Sequence, residues 1–280
     1  MAERITSVQR DGLTFDVFDE GPLDGEVVVL LHGFPERSTS WRYVAPLLHE
    51  RGYRTIAMDQ RGYSPGARPK RRRDYRIGHL MDDAVALIEV AGGRVHLVGH
   101  DWGAVVAWAI ATQRPALLRT LTAVSVPHPM AFLFGALTST QTLRSYYIGL
   151  FQLPYLPERS AAEAGGLFDR RLADSGMTRE EVERFRTEMV EDDALTHALM
   201  WYRAVALVDR RVRANTKVTV PTTFVWSDGD VAVARRGAER TGRYVEAAYE
   251  FVALEGVSHW IPTQAPGELA EAIIKRIESA

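Results

Sequence analysis

The stretch Val95-His96-Leu97-Val98-Gly99-His100-Asp101-Trp102-Gly103-Ala104 carries more structural information than any other part of this sequence. An apolar run ends in a short turn with glycines at positions 99 and 103, and residues 104–110 are apolar enough for a buried helix. Paired glycines let the backbone turn sharply and expose the side chain between them. The pattern predicts a strand, a nucleophile elbow and a helix, with Asp101 as the exposed residue.

The aspartate in this turn determines the chemistry that we expect. A serine there needs a neighbouring base before it can attack an acyl carbon, whereas an aspartate is already ionised at neutral pH. A carboxylate that attacked an ester or amide would form an anhydride less stable than the starting material. Asp101 is therefore suited to attack a saturated carbon and form an alkyl ester, as in opening an epoxide or displacing a halide.

A literal Gly-x-Ser-x-Gly motif also occurs, at Gly62-Tyr63-Ser64-Pro65-Gly66. No apolar strand leads directly into Ser64, and the prolines at positions 65 and 69 prevent an apolar helix from starting behind it. We therefore do not expect Ser64 to be a nucleophile.

The composition narrows the classes of protein and partner. The 280 residues are 46% hydrophobic and 25% charged, as in an ordinary globular protein, and the net charge of −2 gives no electrostatic case for nucleic acid. The absence of cysteine excludes disulfides, thiolate zinc sites and cysteine catalysis. The N-terminus lacks the apolar core of a signal peptide, and no apolar run reaches membrane-spanning length. We expect a cytoplasmic monomer or homodimer without a membrane partner.

Apolar patterns alternate between strands and helices at both ends of the chain. The predicted strands cover residues 6–9, 13–19, 27–31, 55–58, 95–99, 121–126, 222–226 and 249–254. The predicted helices cover residues 38–50, 77–91, 105–112, 234–242 and 268–279. Repeated β-α-β units predict an α/β fold with a mostly parallel twisted sheet and helices on both faces. The aromatic, strand-free middle predicts an inserted helical cap, which gives an α/β core in two parts (1–127 and 216–280) around a cap (128–215).

Four motifs follow predicted strands in a recognisable order. They are His32-Gly33-Phe34-Pro35, the elbow at 99–103, Trp226-Ser227-Asp228-Gly229-Asp230 and Gly256-Val257-Ser258-His259-Trp260. This order resembles the α/β-hydrolase fold over nearly the whole chain, and within it the epoxide hydrolase family. That family belongs to an aspartate-nucleophile branch shared with haloalkane dehalogenases. The resemblance implies a reaction that needs no cofactor and no metal.

The resemblance also implies a base and an acid. His259 follows the last predicted strand, where the family places the histidine that activates water against the ester of Asp101. A carboxylate should orient this histidine, and Asp228 and Asp230 are both candidates. The family pattern Gly-x-x-Asp has Ser227 in its glycine position, which favours Asp230.

Two backbone amides in the family form an oxyanion hole. One follows the His-Gly pair and the other follows the nucleophile, which here selects Phe34 and Trp102. Because their bulky side chains flank the nucleophile, we also expect them to wall the substrate pocket, with packing in the core as the alternative.

Two cap tyrosines in the family donate hydrogen bonds to the epoxide oxygen. Residues 144–154 resemble the first tyrosine segment, and the register on Phe151-Gln152-x-Pro154 selects Tyr147 over Tyr146. Met200-Trp201-Tyr202-Arg203 resembles the second segment and selects Tyr202. A phenol is a suitable donor because it keeps its proton at neutral pH.

The sequence as a whole favours an epoxide hydrolase that takes a small apolar epoxide and water as its substrates. The first alternative is a haloalkane or haloacid dehalogenase that uses the same Asp101. Phe34 stands where haloalkane dehalogenases have Asn, and Trp102 stands where fluoroacetate dehalogenases have Arg, so both residues count against it. The second alternative is a non-catalytic ligand-binding protein on the same fold, which would not need this set of residues.

Overall fold

The computed structural model describes residues 3–207, 209–212 and 217–280, which form an α/β fold. The strands are β1 (Ser7–Arg10), β2 (Leu13–Glu20), β3 (Val27–Leu31), β4 (Arg54–Met58), β5 (Val95–His100), β6 (Leu118–Val124), β7 (Thr222–Ser227) and β8 (Tyr249–Leu254). The core helices are α1 (Val44–Glu50), α2 (Ile77–Val90), α3 (Trp102–Gln113), α11 (Arg235–Arg240), α12 (Ile261–Gln264) and α13 (Pro266–Glu278). No helix in these ranges has the length and apolar character that a membrane span requires.

One sheet of eight strands, in the order β1-β2-β4-β3-β5-β6-β7-β8, runs through the described residues. The β1–β2 and β2–β4 pairs are antiparallel, and every other neighbouring pair is parallel. This topology confirms the predicted mostly parallel sheet. Leu31 on β3 pairs with Gly99 on β5. The loops that follow these two strands therefore leave the sheet side by side.

Apolar side chains cover both faces of the sheet. Val28 and Leu30 on β3 pack into a cluster with residues of α1 and α13. Val29 and Leu31 point the other way, into a larger cluster with residues of α2 and α3. Successive side chains of a strand point to opposite faces, so an unbroken apolar strand such as β3 is suited to the middle of a two-sided core.

A long helical segment separates β6 from β7. Its α-helices are α4 (Pro129–Thr138), α5 (Gln141–Arg144), α6 (Tyr146–Leu150), α7 (Leu156–Ala162), α8 (Leu167–Asp174), α9 (Arg179–Phe185) and α10 (Ala194–Ala204). A π-helix spans Arg186–Glu191. We call α4 to α10 the inserted helices. Of the two predicted domain boundaries, the one between residues 215 and 216 lies outside the described residues.

Two predicted elements differ from the structure for identifiable reasons. The helix predicted over residues 38–50 is a 3-10 helix at Ser38–Trp41 followed by α1, which starts at Val44. Pro46 explains the break, because proline lacks an N–H and is tolerated only in the first turn of an α-helix. The strand predicted over residues 121–126 is β6, which starts at Leu118 and ends before Ser125, where φ is 66°.

Candidate active site

Asp101 occupies the turn between β5 and α3. Its backbone has φ 51° and ψ −118°, outside the regions that most residues adopt. A Cβ atom on Gly99 would lie 2.3 Å from the carbonyl oxygen of Gly103, and one on Gly103 would lie 2.1 Å from that of Leu31. Both positions therefore require glycine, and the backbone they permit holds Asp101 at the end of the sheet.

The carboxylate of Asp101 has two different partners. Its Oδ1 accepts a hydrogen bond of 2.8 Å from the N–H of Phe34, and its Oδ2 lies 3.4 Å from Nε2 of His259. Burial alone would raise the pKa of Asp101. The hydrogen bond and the positive charge of His259 outweigh burial and hold the pKa below its usual range. Asp101 is therefore ionised at neutral pH.

The loop after β3 is held by a buried histidine. The ring of His32 donates through Nδ1 to the carbonyl of Gly33 at 3.0 Å and accepts through Nε2 from the N–H of Gln60 at 3.1 Å. Burial lowers the pKa of His32, so the neutral ring has one donor and one acceptor nitrogen, as these two bonds require. This arrangement fixes the loop whose Phe34 N–H points at Asp101.

His259 lies between two carboxylates. Its Nδ1 is 2.8 Å from Oδ2 of Asp230, whose Oδ1 accepts the backbone N–H groups of Ala232 and Val233 at 2.7 and 2.9 Å. Burial would lower the pKa of His259, but the charges of Asp230 and Asp101 raise it to about 10. The other candidate acid, Asp228, is exposed and accepts the N–H of Gly256 at 2.8 Å.

Tyr147 on α6 and Tyr202 on α10 face each other, with ring centroids 6.0 Å apart. Tyr202 also packs edge-on against Phe34, at 5.0 Å between centroids. Burial and the negative charge of Asp101 raise the pKa of both phenols. Both tyrosines therefore keep their protons and can donate hydrogen bonds. Their neighbour Tyr146 is 55% exposed.

These side chains share a largely apolar cavity of about 640 Å³, which we call the catalytic cavity. The residues in its wall include Phe34, Asp101, Tyr147, Tyr202, His259 and Trp260. A carboxylate, a histidine and two phenols thus face a space large enough for a small organic molecule.

The side chain of Trp102 does not line the catalytic cavity. It lines a second cavity, of about 310 Å³, together with Trp108 and Trp201. Its ring packs edge-on against Trp201 at 5.6 Å and against Tyr202 at 5.1 Å. The structure thus places Phe34, but not Trp102, in the wall of the catalytic cavity, and the prediction that Trp102 walls the substrate pocket stays a prediction.

Two ionisable residues beside the motifs were not predicted: the buried His100 and Glu36, whose side chain is 10% exposed. His100 donates through Nε2 to the carbonyl of His259 at 3.0 Å, and its Nδ1 lies 3.9 Å from Oε2 of Glu36. Burial and the charge of His259 lower the pKa of His100 to about 4, while burial and the charge of Glu181 raise that of Glu36 to about 8. Both groups are uncharged near pH 7. The sequence did offer a signal for both residues. His100 directly precedes Asp101, and Glu36 directly follows the His-Gly-Phe-Pro motif.

The hydroxyl of Ser64 makes hydrogen bonds to backbone groups and is not placed as a nucleophile. This buried hydroxyl donates to the carbonyl of Asp59 at 2.8 Å and accepts the N–H of Asp16 at 2.8 Å. In the described ranges, no group of three or more His, Asp or Glu side chains has the arrangement of a metal site.

Comparisons with known proteins agree with this geometry. A model of the alpha/beta hydrolase family matches residues 28–272. The AB hydrolase superfamily protein YfhM of Bacillus subtilis is 35% identical, over 97% of this chain and 97% of that protein. Epoxide hydrolase 3 of Xenopus tropicalis is 32% identical, over 94% of this chain and 74% of that protein.

A solved structure shares both the core and the inserted helices. The epoxide hydrolase from Vigna radiata matches with a TM-score of 0.82 and 30% identity, over 99% of this chain and 98% of that chain. Because the family model and these relatives cover almost the whole sequence, the chain belongs to the alpha/beta hydrolase family, as a hydrolase similar to epoxide hydrolases.

Proposed function

We propose that this protein is an epoxide hydrolase that forms a covalent ester on Asp101. The observation that carries the proposal is the shared cavity, in which the ionised Asp101 lies 3.4 Å from His259 and beside two protonated phenols. The names of the relatives support the substrate class. We also propose that the inserted helices form a cap domain, because α6 and α10 supply both tyrosines.

In the first step, Tyr147 and Tyr202 donate hydrogen bonds to the epoxide oxygen. The carboxylate of Asp101 attacks a ring carbon, the carbon–oxygen bond of the ring breaks, and a phenol transfers its proton to the alkoxide. Esterification removes the negative charge of Asp101, so the pKa of His259 falls and its proton is released. The phenolate regains a proton, which balances the charge of the step.

In the second step, the neutral His259, oriented by Asp230, takes a proton from water. The hydroxide adds to the ester carbonyl of Asp101, and the oxyanion accepts hydrogen bonds from the amides of Phe34 and Trp102. Collapse of this intermediate releases the vicinal diol. It also restores the carboxylate and the protonated histidine, so the site returns to its starting charge.

Substitution at the two central residues should separate the two steps. We expect Asp101→Asn to abolish turnover, whereas His259→Gln should still form the ester and fail to hydrolyse it. Intact-protein mass spectrometry of His259→Gln with styrene oxide should show the added mass on the peptide that contains Asp101. Halide release from haloalkanes without diol formation from epoxides would favour dehalogenation.

Labelled water identifies the atom that attacks. In a single turnover in ¹⁸O-water with enzyme in excess, the diol should be mostly unlabelled and the label should enter the Asp101 carboxylate. Direct attack by a His259-activated water would label the diol and leave Asp101 unlabelled. That result would contradict the covalent mechanism even if the substrate class were correct.

A further inference from the structure

We infer that Trp260 and Ser175 are positioning residues that hold His259 in place for ester hydrolysis, an inference that rests on the proposed function. Ser175 belongs to the turn between α8 and α9, residues 175–178, which we call the α8–α9 turn. Trp260 directly follows the histidine in the core. The inserted helices would thus control the second chemical step as well as supply the tyrosines for the first.

Trp260 contacts both the histidine and the α8–α9 turn. Its indole Nε1 donates a hydrogen bond of 3.0 Å to the Ser175 hydroxyl, which itself donates to the carbonyl of Leu172 at 2.6 Å. The indole ring lies edge-on to the His259 ring, with centroids 5.2 Å apart and an interplanar angle of 87°. Because the Ser175 hydroxyl is oriented by its own donation, it presents a lone pair to the indole.

A second pair of contacts holds the same turn on the other side of His259. The amide of Gln264 donates to the carbonyl of Gly176 at 2.6 Å and accepts the N–H of Ser258 at 3.0 Å. Gly176 has φ +106°, and a Cβ atom there would lie 2.5 Å from Oγ of Ser258. The α8–α9 turn therefore packs directly against the residues on either side of His259.

Once the ester has formed and the charge of Asp101 is gone, the remaining hydrogen bonds from the described core to the histidine lie on its backbone carbonyl and on one ring nitrogen. The carbonyl of His259 accepts from His100 and from the Ser125 hydroxyl at 3.0 and 2.9 Å, and Nδ1 binds Asp230. The Trp260 ring limits the sideways movement of the imidazole. Water activation needs Nε2 at a fixed place, whereas alkylation needs the carboxylate of Asp101 and the two phenols. Loss of the contact should therefore slow hydrolysis selectively.

The test measures the two steps separately. Rapid-quench single turnovers with styrene oxide would give the rates of ester formation and ester hydrolysis for the wild type, Trp260→Phe, Ser175→Ala and the double variant. We expect hydrolysis to fall about tenfold or more in each single variant, since small misplacements of catalytic groups are costly, and ester formation to fall several times less, although both residues line the catalytic cavity. The double variant should be about as slow as the slower single variant, because both lose the same bond.

Steady-state kinetics and a matched control complete the design. When hydrolysis limits turnover, kcat and KM should fall together in the variants. Thr138→Ala removes a hydroxyl whose hydrogen bond, to the carbonyl of Phe134, stays within α4, so it should leave both rates unchanged. Melting temperatures verify folding, and Ser175→Ala keeps the test valid if Trp260→Phe fails to fold.

The outcomes distinguish this inference from the proposed function. Ester hydrolysis at the wild-type rate in both variants would overturn the positioning role alone, and so would equal losses in both steps. Absence of any ester on Asp101, in the wild type and in His259→Gln, would overturn the proposed function itself.

Discussion

At the scale of single residues, Asp101 and His259 set each other's charge. The pKa of Asp101 is lowered and that of His259 is raised to about 10, so the resting site holds an ion pair. A protonated imidazole cannot act as a base. In the proposed mechanism, His259 becomes a base only after esterification removes the charge of Asp101, which puts the two steps in order.

Removal of both phenol hydroxyls should show whether the two tyrosines act as general acids. We expect the double variant Tyr147→Phe/Tyr202→Phe to lose on the order of 10²-fold or more in the rate of ester formation from epoxides, the usual contribution of a general acid. Tyr155→Phe alters a 72% exposed tyrosine and serves as the control, with a rate within about twofold of wild type. Equal losses with epoxides and with haloalkanes would mean that the tyrosines only shape the cavity.

The sequence could indicate which residues belong to catalytic motifs. It could not indicate which other residues surround them in the folded protein. The structure brings Asp101, His259, Asp230, Tyr147 and Tyr202 to one site. His100 and Glu36 were missed because the burial of His100 and the low exposure of the Glu36 carboxyl depend on contacts between distant segments. Likewise, the direction of the Trp102 side chain depends on the backbone of the elbow and on packing against Trp201 and Tyr202, and not on residue type.

At the scale of secondary-structure elements, the nucleophile elbow depends on close backbone packing. Gly103 lies so close to Leu31 on β3 that a methyl group has no space. Gly33 is similar, since a Cβ atom there would lie 2.4 Å from the Cβ of Asp101. The first contact joins the elbow to the sheet, and the second places the loop after β3 against the nucleophile.

Alanine at these glycines should separate stability from activity. Gly103→Ala should lower the free energy of unfolding by about 1–3 kcal/mol or more, the typical cost of overpacking, because backbone must move. Gly33→Ala should mainly abolish activity, since its methyl group would meet the carboxylate. Gly267→Ala in α13, with open space around it, is the control and should not destabilise. Urea denaturation would measure the free energy of unfolding of all three variants, and diol formation from styrene oxide would measure their activity. If Gly103→Ala were as stable as the wild type, the argument from close packing would be contradicted.

Element types were easier to predict than element ends. The apolar pattern of β3 and β5 predicted them within one residue, because both strands lie between covering helices. The start of α1 and the end of β6 were not predicted, because each depends on the backbone conformation of a single residue. Pro46 delays the α-helix, and the positive φ of Ser125 ends the strand two residues early.

At the scale of the whole molecule, the inserted helices also hold the loop of the acid. The buried Gln141 on α5 donates to the carbonyl of Ala232 at 2.7 Å and accepts the N–H of Ala234 at 2.8 Å. These residues follow Asp230, and Arg144 on the same helix donates to the Asp230 carbonyl. Core and insertion are therefore joined at the site itself.

The ion pair of the site should make global stability fall at alkaline pH. Unfolded histidine loses its proton near pH 6.5, whereas folded His259 keeps it to about pH 10. Between these values the folded state binds more protons, so the free energy of unfolding decreases as pH rises. The contribution is complete below about pH 6.5 and lost above pH 10.

Melting temperatures from pH 6 to 10 would measure this effect, with His259→Gln as the comparison. We expect the wild type to lose more stability over this range than the variant. The raised pKa of Glu36 acts in the same direction but is present in both proteins. If the melting temperatures of the two proteins fell equally with pH, the protonation of His259 would not contribute to the pH dependence of stability.

The order of the strands has a consequence for synthesis of the protein. From β5 to β8 the order in the sheet is also the order in the chain, so each new strand can add to the edge of the one before it. Asp101 leaves the ribosome before His259, and the chain grows at roughly 5–20 residues per second. For that interval the nascent chain carries its nucleophile without its base, and the reactive site is complete only after β8 has joined the sheet.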